Sequence, residues 1–242
     1  MDTDLQAQKL VAWIKERVQA AGCLGVVLGL SGGLDSAVLA VLCQRAFPQN
    51  TLGVIMPCLS NNEDKVHAEE LAKKFGISTT EVVLDDVFNS LLKLLPDYRP
   101  EPALKQLANA NIKVRMRMLT LYYIANQLKY MVAGSSNRSE LAIGYFTKYG
   151  DGGVDIMPLG NLVKGEVKEL ARFLGIPRVI IDKPPSAGLW EGQTDEDEMG
   201  ISYETLDQYI LTGDAQNDIK DRIEAMITRS SHKRSLPPIP KV

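Results

Sequence analysis

The chain reads as an α/β protein, a doubly wound and mainly parallel sheet with helices on both faces, and three observations predict this. Hydrophobic residues make up 45% of its 242 residues and charged residues 24%, the balance of a globular chain with a full core. Residues 24–30 and 51–56 are apolar runs without polar alternation, as expected of strands buried on both faces of a parallel sheet. These runs alternate with segments of helical period at the spacing of βαβ units.

Taken in order, residues 4–21 place Leu5, Leu10, Val11, Ile14 and Val18 on one stripe of an amphipathic helix. The strand at 24–30 runs into a glycine-rich turn and a helix over 36–47. A strand at 51–56 and a helix at 62–75 ending at Gly76 follow. Residues 79–84 predict a third strand, followed by a helix that stops before Pro96. Beyond the proline-rich break at 96–102 comes a long helix over 103–130, then a short strand at 131–133 and a polar turn at 134–137. A helix at 164–174 and a strand at 179–181 complete the sheet region, and the chain beyond 200 reads as helical. The acidic stretch 184–199 reads as a mobile lid, and the tail from 230 has no core pattern. One domain, 1–242, accounts for the whole chain.

Composition narrows the function classes. Lys and Arg total 27 against 30 Asp and Glu, a net charge of −3, so a nucleic-acid partner is not expected. No apolar run reaches membrane-spanning length and the first residues lack a signal peptide's pattern, so neither a membrane partner nor export is expected. The three cysteines, Cys23, Cys43 and Cys58, form no CxxC pair, which predicts a reduced, cytoplasmic protein without a disulfide framework or zinc site.

Ligands of doubly wound sheets bind beyond the C-terminal ends of the strands. There the first strand leads into Gly29, Leu30, Ser31, Gly32, Gly33, Leu34, Asp35 and Ser36. Glycines permit a tight turn that exposes backbone N–H groups, and the following helix adds its positive end, so the turn suits phosphate. The lysine of a Walker A loop is missing. A carboxylate in a phosphate cradle repels the ligand unless a divalent cation lies between them, so Asp35 reads as a magnesium ligand. An ordinary strand-to-helix turn capped by Asp35 or Ser36 is the plainer alternative. Gly29-Leu30-Ser31-Gly32-Gly33 also fits GxSxG, a nucleophile elbow that makes Ser31 a serine-hydrolase nucleophile with His232 as base.

The run SGGLDS resembles the pyrophosphate loop of the N-type ATP pyrophosphatases, with an adenine nucleotide alpha hydrolase-like fold. Gly134 to Glu140 and Gly144 to Gly153, which includes YFTKYGDGG, closely resemble the ammonia-dependent NAD synthetases. Pro158-Leu159, Lys164, Lys183 to Ser186, Gln193 to Glu196 and Ser231 to Arg234 follow in that family's order. The resemblance implies ATP as co-substrate: ATP adenylates the nicotinate carboxylate of deamido-NAD, pyrophosphate leaves, and ammonia displaces AMP. It implies that residues 29–36, Ser135, Lys164 and Ser186 contact ATP, and that Asp35 and Glu140 hold Mg2+. Arg115, Lys148, Asp155, His232 and Lys233 match the deamido-NAD positions, and Asp151 is the candidate ammonia-facing carboxylate; Asp35, Lys164 and Asp151 carry the catalysis. Ser135 and Ser186 stand where many members have Thr.

Each residue also has a plainer explanation. Glu140 fits a capping box with Asn137, the lysines fit a solvated surface, and Arg115 and Arg117 fit the outside of a long helix. The resemblance further implies a homodimer, and the apolar excess on the 103–130 helix supports one. Few residues flank the sheet region in this sequence, so a fused glutaminase domain is not expected. Another ATP-pyrophosphatase-type amidating enzyme and a non-catalytic nucleotide-binding module remain as alternatives.

Overall fold

The computed structural model describes residues 2–190 and 192–240. Strands β1 (Gly25–Gly29), β2 (Thr51–Ile55), β3 (Ser78–Glu81) and β4 (Tyr130–Val132) form one all-parallel sheet in the order β3-β2-β1-β4. Val26, Val27 and Leu28 of β1 are wholly buried, because β1 is central and covered on both faces.

Helices α1 (Thr3–Ala20), α2 (Leu34–Ala46), α3 (Asn62–Phe75), α7 (Lys164–Leu174) and α8 (Arg178–Ile181) pack on one face. Asp2 caps α1, its side chain accepting from Asp4 N at 3.0 Å. Gly76 ends α3 at φ 64, a left-handed conformation that glycine adopts at no steric cost. Helix α2 shows almost no amphipathicity because Ala37 through Cys43 are all buried, under the sheet on one side and against α1 and α7 on the other. The opposite face is covered by α4 (Asp85–Leu94) and α5 (Pro102–Leu128), with Met116, Leu121 and Ala125 of α5 packed on Val27 and Val132. A third cluster joins α6 (Arg138–Ile143) to α10 (Tyr203–Thr212) and α11 (Asn217–Arg229).

Three expectations are corrected. Residues 179–181 are helical, not a strand: the N–H groups of Ile180 and Ile181 both donate to Pro177 O, at 3.0 and 3.2 Å, and close a single turn. A short apolar run fits a buried turn as well as a strand, and the proline before it favours a helix start. The 184–199 stretch ends in α9 (Asp195–Met199), capped by Thr194, instead of staying irregular. The third strand also stops at Glu81, although Val82 N and Leu84 N still donate to Ile55 O and Pro57 O.

Candidate active site

Strands run outward from β1 to β3 on one side, and β4 lies on the other. The crevice therefore opens where the loop after β1 faces the loop after β4, the switch point of a doubly wound sheet. A cavity of about 1820 Å³ occupies this place.

The loop after β1 is a tight cradle. Ser31 Oγ lies 3.0 Å from Ser36 Oγ and accepts from Gly33 N at 3.3 Å, while Ser36 Oγ donates to Gly33 O at 3.0 Å. Gly32 is required twice: its φ is +75, and a Cβ there falls 2.1 Å from Asp64 O. Neither histidine lines the cavity, and Ser31 Oγ bonds to another serine and a backbone amide, so Ser31 has no base and the nucleophile-elbow reading falls. Asp35 is not a cap either, since Gly33 occupies that position.

Asp35 instead meets residues brought from far along the chain. Asn137 Nδ2 donates to Asp35 Oδ1 at 3.0 Å, which ties the two loops together. Lys164, the first residue of α7, places Nζ 2.5 Å from Asp35 Oδ2 and 3.4 Å from Glu140 Oε1. Glu140 forms the expected capping box with Asn137, so its helical role and its place in the site coexist: Oε2 caps while Oε1 faces Lys164. Burial, then the charge of Asp35, push the Glu140 carboxyl up to about 8 against the pull of Lys164. Burial opposes the charge on Lys164, but Asp35 and Glu140 outweigh it and hold the ammonium above its ordinary range.

Of the other expected site residues, Ser135, Ser186, Asp151 and Lys233 line the same cavity. Asp151 Oδ1 accepts from Thr147 N at 2.7 Å, and crowding by protein around the cavity wall raises its carboxyl pKa. Lys233 Nζ donates to Gly144 O and Phe146 O, each at 2.8 Å. Arg115, Lys148, Asp155 and His232 do not line it. Arg115 Nε donates to Lys148 O, and Lys148 Nζ to His232 O, a chain running outside the cavity wall. Asp155 accepts from Tyr122 Oη at 2.9 Å and from Val132 N at 2.8 Å. Arg115 shares the outer side of α5 with the exposed Leu119 and Tyr123, and Asp155 is tied to the same helix through Tyr122.

The 184–199 segment covers the cavity. Lys113 Nζ donates to Leu189 O at 2.9 Å, and Lys183 pairs with Asp64. Asp195 accepts from Tyr203 Oη at 2.9 Å and Tyr145 Oη at 3.1 Å, and the same Tyr203 Oη lies 3.4 Å from Glu140 Oε1. In the sequence Tyr203 carries no signal, Asn137 reads only as a helix cap and Arg117 only as a charge on the outside of a helix, whereas the structure brings Tyr203 and Arg117 to the cavity wall and ties Asn137 to Asp35. Arg117 had a signal, because Leu107, Asn111, Val114, Met118 and Leu121 form one helical stripe beside it.

Fold and cradle together define the class: an α/β protein with a glycine-rich turn at the switch point of its parallel sheet, and beside it a buried lysine between two carboxylates in one large cavity. The NAD synthase family model matches residues 6–237, and the chain belongs to that family and is a ligase. It is 51% identical to an NH(3)-dependent NAD(+) synthetase of Carboxydothermus hydrogenoformans over 97% of this chain and 96% of that one. An NMN synthetase structure from Francisella tularensis superposes with a TM-score of 0.93 at 36% identity, and an NH3-dependent NAD synthetase structure from Campylobacter jejuni with 0.82 at 29%. Both cover 100% of each chain.

Proposed function

We propose that the chain amidates deamido-NAD to NAD at the expense of ATP, with ammonia as nitrogen donor and AMP and pyrophosphate as products. The observation that carries this is the Asp35–Lys164–Glu140 centre at the mouth of the 29–36 cradle, in one cavity with Asp151 and Lys233. The carboxylate of the acid is a poor leaving group, and adenylation converts it into a mixed anhydride that ammonia opens.

Residues 29–36 present backbone N–H groups and two hydroxyls to the ATP phosphates, with Ser135 and Ser186 adding hydroxyls. Lys164 supplies positive charge where the α-phosphoryl bond to pyrophosphate breaks. Asp35 and Glu140 fit Mg2+, because two hard carboxylates lie together on the wall of the cavity that holds the cradle. A cation shared between one or two carboxylates and substrate phosphates is the arrangement magnesium prefers. When bound, it neutralises the charge of the departing pyrophosphate. Asp151, its carboxyl pKa raised, takes a proton from the attacking nitrogen. Arg115, Lys148, Asp155 and His232 are assigned to the rest of the dinucleotide, beside a two-fold homodimer interface along the exposed outer side of α5. The 184–199 segment shields the acyl-adenylate from water. A cytoplasmic setting suits three free cysteines and a chain whose described helices include none able to cross a membrane.

The mononucleotide acid is a second reading, favoured by the superposition on a structure described as an NMN synthetase. One experiment addresses both: each acid with ATP and Mg2+, with ammonium, with ammonium-free glutamine or with neither, following AMP, pyrophosphate and amide. The expected result is amide from the dinucleotide and ammonium, and none from glutamine. Preference for the mononucleotide supports the second reading, and pyrophosphate release without amide removes both. Light scattering at micromolar concentration checks the dimer, which a fully active monomer disproves.

A further inference from the structure

Arg117 is a cavity cation that the reaction above leaves unused. Helix α5 lines the cavity with Val114, Arg117 and Leu121. At one end Leu121 Cδ1 lies 3.9 Å from where a Cβ on Gly29 stands, so it abuts the start of the phosphate cradle; at the other, Val114 Cγ1 lies 2.8 Å from the same point on Gly150, beside Asp151. Seven residues of helix span about 10 Å. Arg117 therefore stands about midway between the cradle and the turn carrying Asp151.

The guanidinium is held by neutral partners only. Nε donates to Met56 O and Nη2 to Ser60 Oγ, each at 3.1 Å, and both belong to the segment leaving β2. Among the described residues Nη1 has no protein acceptor, and no carboxylate lies within ion-pair distance of the guanidinium. Three other cavity cations differ: Lys164 faces Asp35 and Glu140, Lys183 faces Asp64, and Lys65 faces Glu81, whereas Lys233 is, like Arg117, held by neutral oxygens, those of Gly144 and Phe146. One turn earlier, Lys113 is buried and also lacks a carboxylate, spending its ammonium on Leu189 O of the covering segment. Burying cations without a counter-charge is unfavourable unless something else supplies the anion. A planar fork with two donors fixed on the protein is also pre-oriented to offer its remaining N–H groups to an oxyanion.

We propose that Arg117 is an oxyanion-binding residue of the reaction centre, holding either phosphoryl oxygens of the nucleotide or the carboxylate of the acid. This rests on the function proposed above for the same cavity. The competing role is a staple that only fastens the segment after β2 to α5. The two differ in what substitution does to ligand affinity rather than to folding.

The test measures binding of ATP alone and of deamido-NAD alone by calorimetry to the wild-type chain, Arg117→Met and Arg117→Lys, with melting temperatures and steady-state kinetics alongside. Losing charge-assisted hydrogen bonds predicts that Arg117→Met weakens one of the two ligands about 10- to 100-fold, and that Arg117→Lys recovers part of this. Loss confined to ATP assigns the phosphoryl oxygens, and loss confined to the acid assigns the carboxylate. Both affinities within about twofold of wild type, with only the melting temperature lowered, overturn the proposal. If Arg117→Met does not fold, Arg117→Lys decides by the same criterion, because a mere staple keeps its charge and length. A wild-type chain that binds both ligands but forms no amide removes the proposed reaction, and the affinity comparison still decides Arg117.

Discussion

Asp35→Asn separates what the carboxylate does for the fold from what it does for the chemistry. Lys164 Nζ lies 2.5 Å from Asp35 and 3.4 Å from Glu140, with only 9% of the lysine side chain and 15% of either carboxylate side chain exposed. Removing one partner of a buried pair costs about 3–5 kcal/mol when the other charge is left alone. Here Glu140 remains, and Asp35 is one of the charges that raises the Glu140 carboxyl to about 8. Burial, the larger cause, remains, but taking the Asp35 charge away lowers the Glu140 carboxyl pKa and makes Glu140 a better partner for Lys164. The substituted amide oxygen still accepts from Asn137 Nδ2. The expected cost is therefore about 1–3 kcal/mol, or roughly 2–10 °C in melting temperature for a chain of this length. Adenylation behaves differently, because a neutral amide cannot hold a cation against the phosphates. ATP–pyrophosphate exchange should fall by about 100-fold or more. The assays are exchange with deamido-NAD at saturating Mg2+ and thermal unfolding without ligand. Wild-type exchange in the folded variant refutes the metal role, and a melting temperature lowered by more than about 15 °C refutes compensation by Glu140.

Four further outcomes are expected. Gly32→Ala puts a Cβ 2.1 Å from Asp64 O at a φ of +75, so it should cost about 2–4 kcal/mol and abolish ATP-induced thermal stabilisation; retained stabilisation contradicts the cradle. With the Glu140 carboxyl at about 8, protons compete with the cation, and the apparent Mg2+ affinity should climb as pH rises through that value and then level off. The sign for folding is opposite. In the metal-free protein the folded state holds the Glu140 proton more tightly than the unfolded chain, so this group's contribution to stability should fall as pH rises from the ordinary carboxylate range through about 8; denaturant unfolding at several pH values checks it. Replacing Cys23, Cys43 and Cys58 together by Ser should leave ammonium-supported synthesis intact at a stability cost of about 1–3 kcal/mol, since Cys43 is wholly buried and burial holds its thiol pKa far above the ordinary range. Loss of activity in a folded triple variant counts against an inert role.

The elements that depend on local pattern were readable from the chain. Helix α3 spans the predicted residues and ends at Gly76, and α7 likewise begins at Lys164 and ends at Leu174. Buried strands β1 and β2 differ from the apolar runs by a residue or so at their ends. In each case the information is contained within a few neighbours: a cap, a left-handed glycine, or an apolar run with no polar interruption. The 29–36 cradle was readable for the same reason, since a turn's backbone demands act within the turn itself.

Where local pattern is silent, the tertiary structure decided. Residues 179–181 carry too short an apolar run to distinguish a strand from a helical turn, and packing of that turn against α2 and α7, with Ile180 and Ile181 buried, settled it. Arg115 and Arg117 are two residues apart on one helix and look equivalent in the sequence, yet a rotation of about 200° points them to different sides. Only Arg117 faces the cavity, while Arg115 lies along the outer side. Lys164 and Asp35 are 129 positions apart, and Asp195 meets Tyr203 and Tyr145 through the fold of the covering segment. The sequence by itself determined β1 and β2, the ends of α3 and α7 and the glycine-rich turn, because those follow from short-range sterics and periodicity. Which distant charges meet, which are left unpaired, and which line the cavity follow from how the layers pack, a property of the whole chain.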